Sequence, residues 1–223
     1  MSDILKPQAV IFDLDGTLID TFPAIVNAWN AAMKPLVGHT FTPKEVVDHF
    51  GPPDEGMLYG AFPENLSTEG QLEAIERYYA AYRAKHEDIA PFEGIDALLK
   101  FLTDKGIPLG VMTGKSRRAC DETLSYFGWD KRFGFIVTGD EVTTPKPNPE
   151  GVLRVAEKLG IEPKNCVFVG DSPADIGAAE NAGMFSVVAG WHEYYHDELK
   201  ALNPDLWPQS PAEFHKWLEE RLG

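Results

Sequence analysis

The sequence predicts an α/β fold: a three-layer α/β/α, Rossmann-like core on a parallel sheet, carrying an inserted α-helical cap. Three observations predict it. Five short apolar runs are near-continuous rather than alternating, as strands buried on both faces are. Helical patterns separate several of them, which calls for right-handed crossovers over a parallel sheet. One long stretch, from Asp20 to about Ala90, shows amphipathic helices and no convincing strand.

The strand candidates are Ala9–Leu14, Pro108–Met112, Gly134–Val137, Cys166–Val169 and Phe185–Ala189. Between them, Ser116–Phe127 opens on an N-cap serine and stops at Gly128. The segment Pro149–Leu159 starts on Asn148-Pro149 and ends at Gly160, the Pro-in, Gly-out asymmetry of helices. A third helix, Asp175–Ala182, precedes Gly183. In the long first crossover the helices are Phe22–Met33, Thr42–Phe50, Asp54–Ala61 and Thr68–His86. The run Tyr78-Tyr-Ala-Ala-Tyr82 in the last of these is read as helix–helix packing. Pro91-Phe-Glu-Gly94 marks the return linker, and Pro211–Leu222 a packing helix near the end. The expected division is a core of residues 1–19 and 92–223 with a cap of residues 20–91.

The 223 residues suffice for one large domain or a core with a small insert. A formal net charge of −15 argues against nucleic acid or an anionic membrane as partner. It also means that an anionic substrate needs local cations set against the global field. Cys120 and Cys166, in helical and strand contexts, are expected as core residues rather than a disulfide. No basic region leads into an apolar core near Met1, and no run has the length of a membrane span, so a cytoplasmic protein is expected.

Chemistry concentrates at strand ends. Asp13 and Asp15 follow the first apolar run, one residue apart, and period-2 geometry puts them on the same side as the strand ends. Two carboxylates so placed repel unless a cation or proton joins them. Their oxygens suit Mg²⁺, and aspartate is a side chain that forms phosphoryl-enzyme intermediates. The same run also reads as a polar strand end capping the next helix. Thr113-Gly-Lys115 ends the second strand; its hydroxyl and the following amides suit phosphate oxygens, although threonine is also a common cap. Lys146 stands among three prolines in Thr144-Pro-Lys-Pro-Asn-Pro149, a stiff loop that lowers the entropy lost in holding an ammonium, or else a solvated lysine. Gly170-Asp-Ser-Pro-Ala-Asp175 adds Asp171, a third carboxylate for the metal, and Asp175, either its support or a helix cap. In a parallel sheet these ends share one edge, where ligands bind in open α/β sheets.

With these motifs the chain resembles the haloacid dehalogenase superfamily over nearly its whole length, and within it the phosphatases with a helical cap after the first strand, phosphoglycolate phosphatases and their relatives most of all. The resemblance rests on Asp13-Leu-Asp-Gly-Thr17, Thr113, Lys146 and Gly170-Asp-Ser-Pro-Ala-Asp175. It implies Asp13 as nucleophile and Asp15 as general acid and base, its backbone carbonyl on Mg²⁺. It implies Thr113 and Lys146 as phosphoryl ligands, Asp13 and Asp171 as metal ligands, and Asp175 in support. Gly16, Thr17, Gly114 and Lys115 fall on the phosphate or substrate side. The expected partner is a small phosphorylated metabolite, acted on by a monomer or homodimer.

Within the superfamily the dehalogenases lack the second motif aspartate, and Asp15 therefore favours phosphoryl chemistry. A sugar-phosphate mutase grips a second phosphate, typically through a basic cap loop. Here that loop, Phe50-Gly-Pro-Pro-Asp-Glu-Gly56, is acidic, which ranks the mutase below the phosphatase; Lys34, Lys44, Arg77, Arg83 and Lys85 are the cap cations in reserve. A pyrophosphatase needs nothing new in the core. A non-catalytic phosphate-binding module is disfavoured because both motif aspartates are present. Phe50, Gly51, Pro52 and Asp54 of the cap, with Lys115 and Arg117 at the core rim, are the candidates for leaving-group contact under a closing lid.

Overall fold

The computed structural model describes residues 6–192, Tyr194 and residues 196–223. Five strands form one parallel sheet: β1 (Ala9–Phe12), β2 (Leu109–Met112), β3 (Phe135–Val137), β4 (Cys166–Gly170) and β5 (Phe185–Val188), in the order β3-β2-β1-β4-β5. All five expected strands are present, four of them shorter by one or two residues and β4 longer by one, at Gly170. Val10 sits opposite Leu109 on one side and Val167 on the other, so β1 is central. A central strand needs apolar side chains on both faces, and all four β1 residues are buried.

The faces follow the period of two. Val10 and Phe12 join one apolar cluster, which includes Leu98, Leu102, Leu124 and Phe214; Ala9 and Ile11 join a second with Val152, Val155 and Ala178. Between β1 and β2 run α1 (Phe22–Val37), α2 (Pro43–Val47), α3 (Asp54–Ala61) and α4 (Thr68–Ala84), followed by α5 (Ile95–Asp104). The crossovers and tail add α6 (Arg117–Tyr126), α7 (Glu150–Leu159), α8 (Pro173–Ala182), α9 (His196–Leu199) and α10 (Pro211–Leu222). Helix α7 packs on β2 and β3, α8 on β4 and β5, and α5 against α10.

Helix α1 runs four residues past the expected Met33, to Val37, where Gly38 caps it, and three other boundaries differ from expectation for local reasons. The helix expected to reach Phe50 stops at Val47, because Asp48 caps it and Gly51 turns the chain at φ 135°. Helix α4 ends at Ala84, and the chain tightens into a 3-10 turn, His86–Asp88. The third expected core helix starts two residues early, at Pro173, because Ser172 is its cap in a reciprocal capping box with Asp175.

Helix α5, directly after the expected linker Pro91–Gly94, is an element to which the sequence reading gave no assignment. Ile95, Leu98, Leu99 and Leu102 share one face and are fully buried. Burial of side chains of this size contributes on the order of 1.5–3 kcal/mol each. Cys120 and Cys166 are free and buried, as expected, and burial pushes their thiols up to about 12 and about 11. The tyrosines of α4 are fully buried, and α4 packs on α1.

Candidate active site

The sheet delivers the acidic residues to one edge. The Asp13 peptide N–H donates to the Val169 carbonyl at 2.8 Å, which carries the ladder one residue past β1 and fixes the side chain at the strand end. Gly16 follows at φ 73°, and a β-carbon there would lie 2.3 Å from Asp171 Oδ2. Glycine is required both for the turn and for that carboxylate to pass. A β-carbon on Gly170 would similarly fall 2.3 Å from Cβ and Cγ of Asp175. Lys146 is held from the far side: Asn181 Nδ2 donates to the Pro147 carbonyl at 2.9 Å and ties the proline-rich loop to α8.

One oxygen from each of Asp13, Asp171 and Asp175 lies within 4.8 Å of the others, and all three residues are buried. Lys146 Nζ donates to Asp13 Oδ1 at 3.0 Å and to Asp175 Oδ1 at 2.5 Å. The other oxygen of Asp175 accepts from the Ser172 hydroxyl and N–H, so Asp175 is at once the capping-box partner of α8 and the anchor of Lys146. Asp171 Oδ2 meets His192 Nδ1 at 2.7 Å, and Thr17 donates to Asp171 Oδ1 at 3.3 Å. Burial drives the Asp13 carboxyl well above the usual range; Lys146 opposes, while Asp175, Asp171 and Asp15 add repulsion. Burial also raises Asp171, against the hydrogen bond from His192. For Lys146, burial works against the charge, but Asp13 and Asp175 outweigh it and hold the ammonium. A buried group of oxygen donors that destabilise one another's charged forms fits a hard divalent cation.

Asp15 faces the helical unit. Its Oδ1 accepts from the Thr21 hydroxyl, and its Oδ2 lies 3.2 Å from Lys115 Nζ. Thr21 precedes α1 but does not cap it with its side chain, because that hydroxyl is committed to Asp15. Lys115 is also 3.6 Å from Asp54 Oδ1 and sits over the Tyr82 ring at 4.7 Å. Asp54 accepts from the Ser116 N–H and the Tyr78 hydroxyl, each at 2.8 Å. Burial would raise its carboxyl; Lys115 and these donors outweigh it and hold it below the usual range. The Tyr79 and Tyr82 hydroxyls reach Ser116 and Thr123 of the core, each at 2.8 Å. The tyrosine run therefore packs as expected and also joins the helical unit to the core.

A cleft of about 420 Å³ lies between the two parts. Asp13, Asp15, Thr113, Gly114, Lys146 and Asp171 line it from the core, with Lys115; Phe50, Gly51, Pro52 and Asp54 line it from the helical unit. Thr17 stands behind Asp171, fully buried and outside that lining. Gly16 borders a smaller adjoining space with Thr21 and His192. Arg117 turns away, bonded to Asp121, Glu141 and the Ile136 carbonyl. Arg77, Arg83 and Lys85 pair with Glu73, Glu122 and Asp88, and they, like Lys34 and Lys44, are outside the lining.

Sequence reasoning missed Thr21, Tyr78 and His192. For His192 a signal existed: it follows β5 at the same sheet edge as the other site residues. Thr21 and Tyr78 carry no local signal, since an ordinary cap and a core tyrosine have the same sequence context.

Residues 10–189 match the model of the haloacid dehalogenase-like hydrolases. A phosphoglycolate phosphatase of Xylella fastidiosa is 33% identical over 209 residues, 90% of this chain and 86% of that protein. The pyrophosphatase PpaX of Halalkalibacterium halodurans is 32% identical over 202 residues, 90% of this chain and 92% of that protein. Among solved structures, the β-phosphoglucomutase of Clostridium difficile superposes with a TM-score of 0.77 at 27% identity, covering 97% of each chain. The matched span runs from β1 to just past β5 and takes in every acidic residue of the cluster, and the chain belongs to the haloacid dehalogenase-like hydrolase family.

Proposed function

We propose that the chain is a Mg²⁺-dependent phosphatase that hydrolyses a small phosphate monoester through an aspartyl phosphate on Asp13. The observation that carries this reading is the pairing of two carboxylates in one cleft: Asp13, buried against Lys146, and Asp15, two residues on and hydrogen-bonded to Thr21. In the first half-reaction an Asp13 oxygen attacks phosphorus. The bond from phosphorus to the ester oxygen breaks, and Asp15 gives that oxygen a proton. In the second, Asp15 takes a proton from water, the water oxygen attacks phosphorus, and the Asp13 carboxylate leaves with inorganic phosphate released. Thr113 and the Gly114 backbone, at the end of β2, bind phosphoryl oxygens, and Lys146 neutralises their charge. Asp13, Asp171 and the Asp15 carbonyl would hold Mg²⁺, which would supply charge neutralisation at the phosphoryl oxygens and among the carboxylates.

Residues 20–91 serve as the cap over a core of residues 1–19 and 92–223, and the cleft limits the substrate to the size of phosphoglycolate or a small sugar phosphate. Two of the relatives support the hydrolytic chemistry by name, a phosphoglycolate phosphatase and a pyrophosphatase. Among the described residues no helix is long and apolar enough to cross a membrane. A cytoplasmic monomer or homodimer acting on a small phosphorylated metabolite is in keeping with that.

The test is phosphate release from a panel of monoesters, with Mg²⁺ and with EDTA, beside Asp13→Asn. Release that needs Mg²⁺ and disappears in the variant is the expected result. Turnover that persists in Asp13→Asn removes Asp13 as nucleophile, and no release from any ester removes the phosphatase.

A further inference from the structure

The cleft lining is of two kinds. From the strand ends come the acidic group, Thr113 and Lys146. From the helical unit the wall takes the apolar side chains of Ile25, Phe50, Pro52 and Met57. Among the described residues, the basic side chains lining the cleft are Lys115 and Lys146 alone.

Neither of these is available to a second negative charge on the substrate. Lys146 is engaged by Asp13 and Asp175. The Lys115 side chain is 1% exposed and stands between Asp15 at 3.2 Å and Asp54 at 3.6 Å. Asp54 and Asp15 share that one ammonium, which leaves no cation over for a substrate anion. The Ser116 N–H, a backbone donor beside it, is already taken by Asp54. A carboxylate or second phosphate there would lose its water without gaining a cation, which is strongly unfavourable in a half-enclosed apolar site.

We infer that the leaving-group end of the cleft selects phosphate monoesters of uncharged alcohols with an apolar body, and disfavours substrates that carry a second anionic group. The inference rests on the phosphatase reading and narrows it. It sets this chain apart from enzymes that act on phosphoglycolate, pyrophosphate or a sugar bisphosphate, each of which brings a second anion under the cap.

The experiment is a comparison of kcat/KM for n-propyl phosphate and benzyl phosphate with that for phosphoglycolate and pyrophosphate, at saturating Mg²⁺. The expected result is a preference of at least about tenfold for the uncharged leaving groups. A preference for phosphoglycolate or pyrophosphate, or no discrimination, overturns the inference and leaves the phosphatase standing. Hydrolysis of none of the four, nor of p-nitrophenyl phosphate, overturns both. Phe50→Lys supplies the missing cation at a residue 37% exposed, giving up only the edge contact with the Phe22 ring. It is expected to move the ratio at least about fivefold toward phosphoglycolate, and a ratio unchanged in a folded variant counts against the charge argument.

Discussion

Asp54, in the first turn of α3, and Lys115, in the loop after β2, meet 3.6 Å apart with side chains 3% and 1% exposed. The pair joins the helical unit to the core at the point where Asp15 is also held. Neither charge has water to fall back on; without Asp54, Lys115 keeps Asp15 as its partner, but the buried Ser116 N–H and Tyr78 hydroxyl lose their acceptor. Asp54→Ala is expected to destabilise the protein by about 3–5 kcal/mol. Denaturant unfolding checks this, and a loss under about 1 kcal/mol would mean that the pair is solvated in solution.

A methyl group at Gly170 would collide with Asp175 rather than with a flexible neighbour. Asp175 anchors Lys146, so the displacement passes to the lysine beside Asp13. Gly170→Ala is expected to lower kcat more than tenfold at a stability loss of about 1–3 kcal/mol. Wild-type kcat in the variant would show that Lys146 is held by its loop alone.

Asp171→Asn removes one negative charge from the acidic group while keeping its hydrogen-bonding shape. The Mg²⁺ concentration for half-maximal activity is expected to rise at least about tenfold. A superimposable Mg²⁺ titration would exclude Asp171 as a ligand.

His86 is buried between the Tyr82 and Tyr126 rings, and burial lowers its pKa despite Glu122 nearby. A lowered value means that the folded state resists the proton more than the unfolded chain does. Its contribution is therefore complete above the unfolded pKa of about 6.5 and is lost as pH falls below it, by up to about 1.4 kcal/mol per pH unit. His86→Phe is expected to flatten the dependence of unfolding free energy on pH below about 6.5. Parallel curves for the two proteins would show that His86 titrates alike in both states.

The sheet was legible because parallel strands buried on both faces leave uninterrupted apolar runs, as in Val167-Phe-Val169. The strand-end residues were legible for a related reason: a parallel sheet sends every strand's carboxyl end to one edge, so Asp13, Thr113 and Asp171 converge whatever lies between them. Helix α5 was left unassigned although Ile95, Leu98, Leu99 and Leu102 have helical spacing, because it opens directly on the Pro91–Gly94 linker. Its N-cap is Gly94 at φ 94°, with no side-chain cap to announce a helix start. The Asp54–Lys115 contact had no local signal. Lys115 appeared as a substrate ligand because nothing within a few residues of it shows the carboxylate that would meet it from 61 positions earlier.

β1 lies at the centre of the sheet, and its partners β2 and β4 come much later in the chain. Ribosomes add about 5–20 residues per second, so on the order of 10–30 s separates the synthesis of Asp13 from that of Asp171. During that interval Asp13 exists without Asp171 and Asp175 and, for most of it, without Lys146. A nascent chain is therefore chemically silent toward the phosphate esters around it, and turnover reports a finished molecule rather than a collapsed one.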